Sequence, residues 1–251
     1  MALRAQAATA ALAGAALIAA TWQALAPLVG LPVWHLYRAQ ALHAAGVILV
    51  LILVGTHGGA RFGSANFVTM LRLALLAFVT ALVWEASTPP LAWTAAWIGL
   101  AALALDGVDG WLARRGGIAS RFGARFDMEV DALLVLALAA LVWHHEKAGA
   151  WILLAGVLRY LFVLAGWLRP WMRRALPPSQ RRRVACVVQI GGLLLALTPA
   201  ADPGQSVVIA GVALLVLLHS FGADTLWLWR ERLLPAQPAG HQGPTAGWGR
   251  A

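Results

Sequence analysis

Eight hydrophobic stretches, at about 6–26, 43–59, 66–86, 91–113, 127–145, 149–169, 184–200 and 205–229, constrain this chain more than any other feature. Each is long enough to cross the hydrocarbon layer of a bilayer, which takes roughly 20 apolar residues as a helix. Water is absent there, so every backbone N–H and C=O must be satisfied inside the segment. The expected fold is therefore an all-α integral membrane bundle. Composition agrees: 61% of the residues are hydrophobic and 12% charged, about half the charged share of a soluble domain. The first stretch reads as a retained helix rather than a signal peptide, because its apolar region is long and a polytopic chain follows. From Pro235 onward the chain is rich in Pro, Gly and Ala and is expected to be disordered.

The charges that remain are unevenly placed. With the N-terminus inside, Arg4, Arg61, Arg114, Arg115, Arg121, Arg125, Arg169, Arg173, Arg174, Arg181, Arg182, Arg183, Arg230 and Arg232 fall on one side. Arg38 and Lys147 fall on the other, while Arg72 and Arg159 lie within spans. This bias marks the arginine-rich side as cytoplasmic. Trp84, Trp93, Trp143 and Trp151 bracket the outer loops as an interfacial belt does. The net charge of +9 then indicates anionic lipid head groups rather than nucleic acid. Cys186 is the single cysteine, which excludes an intrachain disulfide. His35, His43, His144 and His145 are expected at the outer interface.

Against this background, residues 105–131 (LDGVDGWLARRGGIASRFGARFDMEVD) hold five of the ten acidic residues. A charge near bilayer depth is costly unless paired or solvated, and marks function by default. Asp106 and Asp109 share one helical face, and Asp127 and Asp131 share a face on the next helix. The connector at 114–125 is short, so the two helices should be antiparallel neighbours with their carboxylates converging. Four such charges repel severely, and divalent cations resolve the repulsion. All-oxygen donors suit Mg²⁺ or Mn²⁺, and a pair of ions can clamp the oxygens of a phosphoryl transfer. Gly110, Ala113 and Gly123 leave room for a ligand against the backbone, and Arg114 supplies a guanidinium for phosphate. Helix-end charges snorkelling to water would explain one or two of the acids, not four at this spacing.

The stretch reads D-x2-D-G-x2-A-R-x8-G-x3-D-x3-D from Asp106 to Asp131, with every fixed position in register. It resembles the signature of the CDP-alcohol phosphotransferases. Upstream, Asn66, Thr69 and Arg72 resemble the Asn-x2-Thr-x2-Arg start of that family's first core helix. The resemblance implies a six-helix catalytic membrane domain over 61–234, two additional transmembrane helices in 1–60, and a tail at 235–251. It also implies two divalent ions bound by Asp106, Asp109, Asp127 and Asp131, with Asp131 also the base. Gly110, Ala113, Arg114, Gly123, Asn66 and Thr69 would form the wall for the CDP moiety. A homodimer is a further expectation from the resemblance.

The expected reaction moves a phosphatidyl group from CDP-diacylglycerol to a small alcohol, such as glycerol 3-phosphate or another polyol, with release of CMP. The alternatives are transfer from a CDP-alcohol to diacylglycerol and, in a different class, divalent-cation transport. Arg181, Arg182 and Arg183 would either meet an acceptor phosphate or anchor the helix among lipid head groups. Relatives that use glycerol 3-phosphate carry a Gly-Lys-x-Lys-Thr-like stretch where this chain has RRRVACVV, which leaves one lysine-type position apolar. Arg159, inside an apolar run, should pair with Asp224, Glu85 or a substrate anion. Glu129 is either a substrate-side contact or a helix-end charge facing water or a neighbouring arginine.

Overall fold

The computed structural model describes residues 2–54, 63–116, 121–177 and 179–233, with backbone alone for 2, 3, 53, 54, 109–116 and 121. The tail at 235–251 and Arg61 lie outside the described residues. Eight α-helices follow one another among the described residues: α1 Ala2–Val29, α2 Val33–Val54, α3 Gly63–Ala81, α4 Pro89–Gly116, α5 Arg121–His144, α6 Leu154–Leu168, α7 Gln180–Leu197 and α8 Pro203–Leu233. Among the described residues there is no strand. Six helices among the described residues are long and apolar enough to cross a membrane. The other two, α5 and α7, are long enough but carry Asp127, Glu129 and Asp131, or Arg181, Arg182 and Arg183, at their starts.

Local chemistry sets the helix ends. Gly30, at φ +73°, closes α1 in the left-handed conformation that glycine tolerates, and its N–H donates to the Ala26 carbonyl at 2.9 Å. Pro89 opens α4, where its missing N–H costs nothing. Before α8, Asp202 and Gln205 satisfy each other's backbone N–H groups at 2.8 and 3.1 Å, a reciprocal cap. Helix α2 starts at Val33, ten residues before the hydrophobic run that predicted it. Its polar residues His35, Gln40 and His43 turn toward α1 and α3, while Tyr37 and Arg38 are exposed; His35 and His43 are buried, not interfacial as expected. His43 Nε2 lies 3.1 Å from the Ala11 carbonyl, and Gln40 donates to the Ala15 carbonyl at 2.9 Å.

Helix α3 is the hub, packing against α1, α2, α4 and α5. Of its best membrane-crossing window 67% is buried, against 11% for α1, which lines the outside of the bundle. The α7–α8 pair forms the other main seam, with Gly192 close enough that a Cβ would meet that of Ala213 at 2.7 Å. Gly156 on α6 is tighter still, since a Cβ there would lie 2.5 Å from Leu136 Cα on α5. Small residues of this kind let helices approach closely where lipid removes the hydrophobic drive to associate. At the end of the bundle away from the acidic stretch, Glu85 receives Arg38 at 3.1 Å and lies 3.6 Å from His35, tying α2 to α3.

One expectation about packing needs correction. Helices α4 and α5 make only marginal contact, although only four residues, 117–120, separate them; α3 and α7 each pack against both. The reason is that α3 and α7 lie between them: along the apolar length Leu194 of α7 packs against Gly99 of α4, and at the acidic end α3 places a cation among the carboxylates.

Candidate active site

That cation is Arg72, on the third turn of α3. It is fully buried. Its Nη1 lies 3.1 Å from Asp106 Oδ1 on α4 and pairs with Asp127 on α5, while Nη2 pairs with Asp131. The remaining donor, Nε, is 3.2 Å from the Ala102 carbonyl. One guanidinium thus bonds three carboxylates and a carbonyl, using the planar fork that lysine lacks. The reading of the sequence placed Arg72 in a helix-start motif and missed this role. Its signal was available, since an arginine inside an apolar run demands a partner.

One oxygen from each of Asp106, Asp127 and Asp131 lies within 4.8 Å of the others. Each side chain keeps a partial opening to solvent, so a ligand can reach it. Three carboxylates against one guanidinium leave a formal charge of minus two. The donor set is all oxygen, and it fits a hard divalent cation such as Mg²⁺ or Mn²⁺. The backbone carries Asp109, Gly110, Ala113 and Arg114 on the last turns of α4, where their side chains lie outside the described part. Asp109 sits one turn from Asp106 on the same helix.

Asn66, Thr69 and Arg72 follow each other at intervals of three on α3, and all three are buried. The Thr69 hydroxyl donates to the Ala65 carbonyl at 3.0 Å. Gly123 is half-buried on α5, one turn before Asp127.

Beside Asp131, a cavity of about 380 Å³ opens between α5, α6, α7 and α8. Its charged and polar lining comprises Asp131, Arg159, Arg182, Gln189, Ser220 and Asp224; the rest is largely apolar, including Val135, Phe162, Leu217 and Phe221. Arg159 pairs with Glu129, not with Asp224 or Glu85 as expected. Glu129 is accordingly a charge facing a neighbouring arginine. Asp224 is taken by Arg181, and by Arg182 at 3.2 Å. The three arginines opening α7 therefore differ. Arg182 lines the cavity, Arg181 pairs with an acid that lines it, and Arg183 is exposed and outside the lining. Gln189, like Arg72, escaped the sequence reading; its signal was an amide inside the apolar run VVQIGG.

Three carboxylates thus converge from two helices, beside a cavity that shares one of them. The family model of the CDP-alcohol phosphatidyltransferases matches residues 62–219. No curated protein and no solved structure matches the chain. The match starts just before α3, runs through the acidic stretch and ends within α8, and the chain belongs to the CDP-alcohol phosphatidyltransferase family.

Proposed function

We propose that this protein transfers the phosphatidyl group of CDP-diacylglycerol to a small polyol, with glycerol 3-phosphate the first candidate, and releases CMP on the cytoplasmic side. Family membership makes the chain a membrane-embedded transferase of phospholipid biosynthesis, whose relatives act on CDP-linked alcohols and lipids with divalent metal ions. The observation that carries the finer reading is the double position of Asp131. It belongs to the carboxylate cluster and also lines the cavity that holds Arg159 and Arg182. A nucleophile bound in that cavity would lie beside the group that must take its proton.

In this reading Asp106, Asp109, Asp127 and Asp131 hold Mg²⁺ or Mn²⁺, which when bound neutralises pyrophosphate charge and polarises the phosphorus–oxygen bonds. Arg72 keeps the carboxylates gathered. Asn66, Thr69, Gly110, Ala113, Arg114 and Gly123 form the wall for the CDP moiety. Arg159 and Arg182 meet the acceptor phosphate, and Arg159 has an Nε with no hydrogen-bond partner among the described residues. Asp131 accepts the proton of the acceptor hydroxyl. The new bond joins that oxygen to the phosphorus bearing diacylglycerol, and the bond from this phosphorus to the CMP oxygen breaks.

The apolar share of the cavity lining favours a second reading, in which a CDP-alcohol donates to a diacylglycerol whose chains lie against Phe162 and Phe221. Purified protein in lipid–detergent micelles decides between them. CMP release from CDP-diacylglycerol with a polyol phosphate, abolished by EDTA, supports phosphatidyl transfer. Release only from a CDP-alcohol with diacylglycerol supports the second reading and refutes the first.

A further inference from the structure

Arg182, Cys186 and Gln189 occupy one stripe of α7, at the i, i+4, i+7 spacing of a single helix face, and all three line the cavity. Arg182 lies in the first turn. Cys186 brings its Sγ to 4.0 Å from Asp131 Oδ2. Gln189 follows a turn later, about 10 Å of helix rise beyond Arg182. The stripe therefore runs from a cation, past the carboxylate, to an amide.

Gln189 is 0% exposed, and neither its Oε1 nor its Nε2 has a hydrogen-bond partner among the described residues. Buried polar groups are paired in nearly all proteins, because an amide stripped of water without compensation is costly. Val135 and Leu217, which line the same cavity, present apolar side chains, and none of the polar side chains of the lining, Ser220 included, makes a hydrogen bond to the amide. A polar group that enters the cavity can supply the missing bonds. A primary amide offers both donors and an acceptor, and a hydroxyl answers both. An alkyl group answers neither, and a quaternary ammonium has no N–H or lone pair to offer.

We propose that Gln189 reads a hydroxyl of the acceptor other than the one that attacks, and so selects polyols over simple alcohols. This rests on the reading that the acceptor enters the cavity beside Asp131. It makes Gln189 a specificity residue, in contact with substrate and separate from the carboxylate cluster.

The test compares two acceptors for CMP release from CDP-diacylglycerol: glycerol 3-phosphate, and 3-hydroxypropyl phosphate, which keeps the phosphate and a primary hydroxyl but lacks the middle one. Wild-type protein should favour glycerol 3-phosphate by at least about tenfold in kcat/KM, because an analogue lacking the hydroxyl leaves the buried amide unpaired. Gln189→Leu and Gln189→Met should bring that preference to within about threefold, by slowing the polyol while 3-hydroxypropyl phosphate keeps its wild-type rate. Both variants should melt at or above the wild-type temperature without substrate, since each removes an unpaired buried amide. An unchanged preference in both variants would overturn the proposal, as would wild-type protein that does not distinguish the acceptors. Parallel slowing of both acceptors with a lowered melting temperature would also overturn it, and make Gln189 structural. Wild-type protein that releases CMP only from a CDP-alcohol with diacylglycerol, or from neither pairing, refutes the phosphatidyl-transfer reading itself and removes the polyol with it.

Discussion

Replacing Arg72 by glutamine tests the centre of the site. The substitution keeps a planar polar group of shorter reach and removes the charge. In the native protein Asp106, Asp127 and Asp131 place oxygens within 4.8 Å of one another around the guanidinium. At an effective dielectric constant of about 20, two unit charges at that distance repel by about 3.5 kcal/mol. Three such pairs exceed what a protein tolerates, so protonation or displacement of the carboxylates would relieve part of the repulsion. Removing one partner of a buried ion pair costs about 3–5 kcal/mol, which is the loss expected for Arg72→Gln in EDTA. A divalent cation supplies the missing positive charge. Mn²⁺ or Mg²⁺ should therefore raise the melting temperature of the variant more than that of the wild type. The assay is thermal unfolding of both proteins in detergent, with EDTA or with Mn²⁺. Equal melting temperatures in EDTA, or an Mn²⁺ shift no larger in the variant, would refute the claim that Arg72 balances a cluster built for metal.

Asp131→Asn should lower CMP release by about 10²–10⁴-fold while metal-dependent binding of CDP-diacylglycerol persists; near-normal turnover would remove the base assignment. Arg182→Ala should raise KM for glycerol 3-phosphate by about tenfold and leave KM for CDP-diacylglycerol unchanged, and an effect on both would return Arg182 to a structural part with Asp224. Gly156→Ala puts a Cβ 2.5 Å from Leu136 Cα. It should cost about 1–3 kcal/mol and lower the melting temperature, because backbone must move to admit it. A variant as stable as wild type would show that α5 and α6 are not in such close contact.

Much of the bundle is legible in the sequence. Each hydrophobic run produced a helix, since a backbone in lipid has few other ways to satisfy its own polar groups. Helix α2 was placed ten residues late, because His35, Arg38 and Gln40 look like loop residues until α1 and Glu85 are there to receive them. The carboxylates were legible too. Spacings of three and four residues put Asp106 with Asp109, and Asp127 with Asp131, whatever surrounds them.

Pairings between distant segments carried no such local code. Arg72 and Asp127 are 55 residues apart, and Arg181 and Asp224 are 43 apart. Several acids lay within plausible reach of Arg159, and only the packing of α6 beside α5 selected Glu129. The sequence by itself determined the helices, their order, and which acids share a face, because helix periodicity and burial in lipid act within a segment. Tertiary structure alone decided that α3 would drive a cation between α4 and α5. It also decided that Asp131 would border a cavity, and that Gln189 would line it without a hydrogen-bond partner among the described residues. Those outcomes depend on which helix faces meet, and that is settled by side-chain packing among segments far apart in the chain.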